Sequence, residues 1–161
     1  MNLIDYSYFY NGPLAIENAE ATGDLDNNAF AVQGAITGYI GYYQDEFLRN
    51  MVGDTLASEV KNHLDTNDSD ARLEDLCERL RMSFAHYVYF KMVGDVNQTM
   101  TITGLMRLKS ANFNEPPRQR MVSVWNSMVE LNRQFVKWAE KSDFEVYYRV
   151  NMVTPINQFN L

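Results

Sequence analysis

The sequence predicts a mainly α-helical fold: a small bundle of about four helices, with an extended N-terminal arm, a long loop between the last two helices and a strand-like C-terminal tail. Apolar residues recur every three or four positions through most of the stretch from 28 to 141, the period of an amphipathic helix. Alternation with a period of two is confined to the ends. One long polar run, 97–117, breaks the helical pattern. The organisation that follows is an arm over 1–26, a helical domain over 27–142 that contains the loop, and a tail over 143–161. With 161 residues and 46% hydrophobic content, the chain suits one domain whose core needs no disulfide or structural metal.

The arm comes first. Ile4, Tyr6, Tyr8 and Tyr10 alternate ahead of the breaker Asn11-Gly12-Pro13, which predicts an extended segment. From about Asn28 to Val52, Ile36, Ile40, Tyr43, Phe47 and Met51 keep helical spacing. Gly53 with Asp54 then reads as a stop followed by a fresh N-cap. Leu56, Val60 and Leu64 mark a short second helix. In the polar stretch DTNDSD, Ser69 or Asp70 suits the cap of the third, whose stripe is Leu73, Leu76, Cys77, Leu80, Phe84, Tyr87 and Val88. That helix is expected to reach about Val93. After the loop, Pro116 and Pro117 fit a first helical turn. Met121, Val124, Trp125, Met128, Leu131, Phe135 and Trp138 carry the last helix to about Lys141. In the tail, Phe144, Val146, Tyr148, Val150 and Met152 alternate with Glu145, Tyr147, Arg149 and Asn151. That is a strand with one apolar face and no later strand to pair with.

Composition narrows the function classes. A net charge of −7 argues against an ordinary nucleic-acid binder, since affinity for phosphate comes from Lys and Arg displacing counterions. The charge is also divided: residues 1–75 hold 14 acidic and 3 basic side chains, residues 76–161 hold 7 and 11. Such charges coat solvated helix faces in most proteins, but an acidic and a basic half also suit head-to-tail contact between copies. The most apolar window, AFAVQGAITGYIGYY, falls short of the roughly 20 apolar residues a membrane span needs, so a buried helix and no membrane contact are expected. The opening MNLIDYSYFY lacks the pattern of a secretory signal. Together with the lone Cys77, this leads to the expectation of a reducing cytoplasm.

The search for chemistry finds little. His63 and His86 fall on different helices without ligand-spaced companions, which predicts a surface histidine and a helix-face histidine rather than a metal site. Gly34, Gly38 and Gly41 lack the preceding strand and the Lys of a phosphate loop, so close helix packing is the expected reason for them. Cys77 has no base placed near it, and no pair of carboxylates is singled out for acid–base work. The expectation is a protein that is no enzyme and carries no cofactor, metal or catalytic residue.

Aromatic content points to contacts instead. Tyr and Phe number 19, and the arm and tail hold many of them. Aromatic side chains supply large contact area at low entropic cost and anchor interfaces. The candidate partner-binding residues are therefore Tyr6, Tyr8 and Tyr10 in the arm, Arg107 and Lys109 in the loop, and Phe144, Val146, Tyr148, Val150 and Phe159 in the tail. Two arrangements compete. The arms either fold back on their own bundle or add as strands to a neighbouring chain. In the second case, deleting 144–161 leaves a folded bundle that no longer assembles.

The stretches ITGYIGYYQDEFLRNMVGDTLASEV, AHYVYFKMVGDVNQTMTITGLMRLKSANF and RQRMVSVWNSMVELNRQF resemble the head–tail connector proteins of tailed bacteriophages, those of crAss-like phages of gut Bacteroidetes among them. The features that carry the likeness are Met51 to Gly53, Tyr87 to Phe90, Thr103-Gly104 and Trp125 to Val129, within roughly 36–135. The resemblance implies a non-enzymatic virion protein, assembled in the host cytoplasm. It would form a homo-oligomeric, commonly dodecameric, ring in the neck, joining the portal protein to adjacent neck or tail proteins. Such a ring lines or seals the channel through which DNA passes without specific binding. A reading of another class is a cytoplasmic helical adaptor that binds proteins and is no part of a virion; the two differ in whether purified particles contain the chain.

Overall fold

In the computed structural model of the chain, residues 1–17, 19, 20, 27–66, 69–98 and 117–159 are described. They form a mainly α protein of four helices: α1 (Asn27–Val52), α2 (Asp54–Thr66), α3 (Ala71–Gln98) and α4 (Pro117–Ala139). No strand occurs among the described residues. The predicted loop, with Arg107 and Lys109, lies almost wholly outside them.

Helices α1 and α2 form a hairpin hinged on Gly53. Its φ of +83° is left-handed backbone that favours glycine, and its N–H donates to the Arg49 carbonyl at 3.1 Å to close α1. The Gly53 carbonyl then accepts from Ala57 N–H at 3.0 Å, so the same residue also starts α2. Asp54, expected as the cap, instead stands in the first turn of α2, where a carboxylate suits the helix dipole. Asp70 caps α3: its Oδ1 accepts from the Arg72 and Leu73 amides at 2.9 and 3.4 Å. Helix α3 extends past Val93, to Gln98.

Two antiparallel pairings centre on α3. Phe47 of α1 meets Phe84 and Tyr87, with ring centroids 5.0 and 5.5 Å apart. On the α4 side, Phe90 meets Trp125 at 4.8 Å, and Ser83 donates to Asn132 Oδ1. The fully buried stripe follows the predicted spacing: Ile36, Ile40, Phe47 and Met51 on α1, Leu76, Cys77, Leu80, Phe84 and Val88 on α3, Met128 on α4.

The arm differs from the extended segment predicted. Tyr6–Phe9 and Gly12–Leu14 are 3₁₀ turns, the first capped by Asp5, whose Oδ1 accepts from the Ser7 amide at 2.8 Å. Alternating tyrosines are compatible with either form. What selects the turns is burial of Leu3, Ile4, Phe9, Leu14, Ile16 and Ala19 against the bundle. Glutamines of α1 serve the arm's backbone: Leu3 N–H donates to Gln44 Oε1 at 2.6 Å, and Gln33 Nε2 donates to the Ala19 carbonyl at 2.9 Å.

The tail also returns to its own bundle. Tyr147 N–H donates to the Val52 carbonyl at 3.3 Å and Arg149 N–H to the Asn50 carbonyl at 2.8 Å. These amides satisfy carbonyls that the end of α1 leaves without helical partners. A 3₁₀ turn over Val150–Val153 drives Met152 fully into the core. Beyond it, Trp125 Nε1 donates to the Thr154 carbonyl at 3.0 Å. The Asn126 amide pairs both ways with Ile156, its Nδ2 donating to the carbonyl at 3.0 Å and its Oδ1 accepting from the N–H at 2.9 Å. The strand-like pattern is thus served by a helix end and by side chains that imitate a peptide group. No neighbouring strand is needed.

Candidate interaction surface

Folding the arm and tail inward sorts the expected contact residues into two groups. Tyr6, Tyr8 and Tyr10 are partly buried against the core, and the Tyr6 and Tyr10 rings meet at a tilt with centroids 5.9 Å apart. Phe144 and Val146 are likewise packed, Phe144 between Trp138, at 6.1 Å, and the Arg72 guanidinium, 5.0 Å from its centroid. These five residues serve the chain's own core. Tyr148, Val150 and Phe159 remain exposed, Val150 by 74% and Phe159 by 86%, and Tyr147 joins them at 70%. A shallow groove of about 490 Å³ runs beside Phe159 between α4 and the tail, past Val122, Asn126 and Ile156.

The histidines are both buried. His63 lies with its Nε2 3.3 Å from Glu74, and His86 Nδ1 donates to the Met82 carbonyl at 2.8 Å. The surface position expected for one of them is not found. Burial, above all, pulls the His86 imidazole below its usual range, with Arg120 adding to the effect against the Met82 hydrogen bond. Cys77 is fully buried, and burial first, then the Glu74 charge, pushes its thiol up to about 11. A thiol so held is a packing residue, not a nucleophile. Among the described residues, no three His, Cys, Asp or Glu side chains gather as metal ligands, and no helix is long and apolar enough to cross a membrane.

A cleft of about 870 Å³ lies between the α1–α2 hinge, the start of α3 and the tail. Arg49, Arg72 and Arg149 face Asp54, Asp70, Asp143 and Glu145 across it. Both signs are interspersed, so the cleft offers no single charge to a ligand.

A second feature was not foreseen. Residues Phe30, Gly34, Gly38 and Tyr42 recur at steps of four, hence on one face of α1, and all are exposed. A Cβ added to Gly34, Gly38 or Gly41 would meet nothing within 4 Å, so the close helix packing expected of these glycines is not found among the described residues. Ala35, Gly38, Tyr39, Tyr42, Tyr43 and Asp95 instead line a groove of about 440 Å³. Tyr42 stands edge-on to Tyr43 at 4.9 Å, and Tyr39 stacks on Tyr43 at 6.0 Å. The sequence signal was the pairing of glycines with bulky aromatics at four-residue spacing.

Electrostatics organise this region. Burial, then a hydrogen bond to Asp95 and its charge, pushes the Tyr39 hydroxyl up to about 12. Burial and the nearby Asp95 and Glu46 also raise Tyr43. Below them Tyr87 donates to Glu46 Oε1 at 2.5 Å, and Lys91 reaches the same oxygen at 3.1 Å. Partial burial works to raise the Glu46 carboxyl, but these two hydrogen bonds together with the Lys91 and Arg149 charges outweigh it and hold it below the usual range. The Lys91 ammonium lies 4.8 Å from the Tyr43 centroid and 5.2 Å from that of Tyr87. At neutral pH these phenols stay protonated, and the arrangement suits holding a cation more than moving a proton. Compared with protein-family models, with curated proteins and with solved structures, the chain matches none.

Proposed function

We propose that the chain is a non-enzymatic assembly subunit: a structural virion protein that forms a ring in the neck of a tailed phage. It joins portal to tail and lines or seals the DNA channel. The observation that carries the assembly reading is the placement of large side chains. Most of the arm and much of the tail pack on the chain's own core, yet Tyr42 on α1 and Tyr147, Val150 and Phe159 of the tail stay exposed. Exposed aromatic and apolar groups beside grooves are what interfaces use. The division between an acidic first half and a basic second half supports contact between copies. The specific place, the neck, rests on the sequence resemblance over 36–135. Under this reading the partners are copies of the chain, the portal protein and adjacent neck or tail proteins, with DNA in transit and no cofactor.

The tail's own-bundle packing favours one revision of how such a ring is held. The strap between subunits is not the whole of 144–161, but its uncovered residues Tyr147, Tyr148, Val150 and Phe159. Quantitative mass spectrometry of purified particles tests the reading. The expected result is a fixed, multiple copy number relative to the portal protein. Absence from particles that infect normally would refute the virion role and favour a cytoplasmic adaptor.

A further inference from the structure

We propose that the tyrosine groove on α1 is a guanidinium site, and that its occupant is Arg118 from a second copy of the chain; this rests on the assembly reading above. The groove is built for a cation. Three phenol rings surround its volume, and the Asp95 carboxylate lies at its edge, held by the Tyr39 hydroxyl. An aromatic ring attracts a cation through its negative face, and a carboxylate adds direct charge. One of these rings, Tyr43, already carries the Lys91 ammonium. Tyr42 touches Tyr43 edge-on and, among the described residues, stays 78% exposed.

Arg118 supplies the other half. It is exposed in the first turn of α4, a turn with no acidic residue, where a cation opposes the helix dipole. Among the described residues it makes no ion pair. A local arrangement that breaks the usual preference gains its counter-charge if a neighbour brings a carboxylate. The two halves belong to different elements. Asp95 turns toward Tyr39 of α1, whereas Gly94 beside it packs on Met121 of α4. Donor and acceptor on different elements allow a head-to-tail contact, which continues from copy to copy and closes into a ring if the rotation allows.

Sedimentation velocity over a wide concentration range tests this with the full chain and three variants: Tyr42→Ala, Arg118→Glu and Gly38→Leu. Gly38→Leu fills the groove while improving helix propensity, so it does not act by unfolding. The wild type is expected to assemble beyond dimers, and each variant to weaken association roughly tenfold or more. Mixing Gly38→Leu with Arg118→Glu leaves one intact groove facing one intact Arg118, and should give a one-to-one pair that grows no further. Wild-type assembly unchanged in all three variants would overturn the groove contact and leave the ring reading standing. A wild type that stays monomeric throughout would overturn the second-copy occupant, and the ring would then rest on the particle measurement alone.

Discussion

Asn132 Nδ2 donates to the Met152 carbonyl at 2.7 Å, and its Oδ1 accepts from Ser83, so one buried amide ties α3, α4 and the tail together. All three residues are fully buried. Asn132→Leu would keep the volume but orphan the Ser83 hydroxyl and the Met152 carbonyl. A loss of about 2–4 kcal/mol is expected from two unsatisfied groups. Urea unfolding checks this, and adding Ser83→Ala should recover part of the loss, because one orphan is removed.

Truncation at residue 143 tests the tail as a whole. It strips away Met152, Phe144, Val146 and Ile156 and leaves the Trp125, Asn126 and Asn132 side chains without their tail partners. The expected outcome is loss of the cooperative thermal transition by circular dichroism, contrary to the folded remnant that an outward strap would leave. Phe159→Ala, at an exposed site, should leave the transition in place.

At Gly53, replacement by Ala meets two obstacles. The backbone is left-handed, and the new Cβ would stand 3.1 Å from Tyr147 Cβ. Gly12, at φ +79° with open space around it, meets only the first. Gly12→Ala should therefore cost about 1 kcal/mol, and Gly53→Ala distinctly more. Equal losses in denaturant titrations would show that the tail yields freely at this contact.

Acid should weaken the fold in two stages. His86 is held below its ordinary value of 6.5, so the neutral form belongs to the folded state; stability is complete above that value and falls as pH drops toward the folded-state value. Glu74, held below 4.5 first by the His63 hydrogen bond, gives stability that is present above 4.5 and lost as pH falls below it. His86→Gln should flatten the upper stage and Glu74→Gln the lower, as read from melting temperature against pH.

Cys77 offers a probe of global opening. In the native protein it should react with a thiol reagent only as fast as the core opens, since it is fully buried and its thiol is pushed up to about 11. Rapid labelling under native conditions would mean that α3 separates from the bundle easily.

The helices were legible because period and punctuation agree: Gly53, Asp70 and Pro117 stand at helix boundaries, and most residues of the predicted stripes are buried. The arm and tail were harder because alternation does not say what the other face meets. Polar residues inside the stripes held a clue. Gln33 and Gln44 on α1, Ser83 on α3 and Asn132 on α4 sit at core spacing, where an amide or hydroxyl is tolerated only with a partner. Those partners are the arm and tail, or for Ser83 the amide that holds the tail. Asn126 gave no such sign, since it neighbours Trp125 outside the stripe. The tyrosine groove is not legible in the sequence because exposed glycines on a helix resemble packing glycines until the neighbouring helices are placed.

The hydrogen bonds from Tyr147 and Arg149 to the end of α1 bear on the order of events during synthesis. Residues about a hundred positions apart must meet before the α1 carbonyls are served, and Met152 leaves the ribosome only after all four helices have been made. The bundle emerges with a gap in its core that the chain itself closes only after its four helices. Until then the hydrophobic slot for Met152 is open to solvent and to other nascent copies, a window for mispairing that grows with translation time.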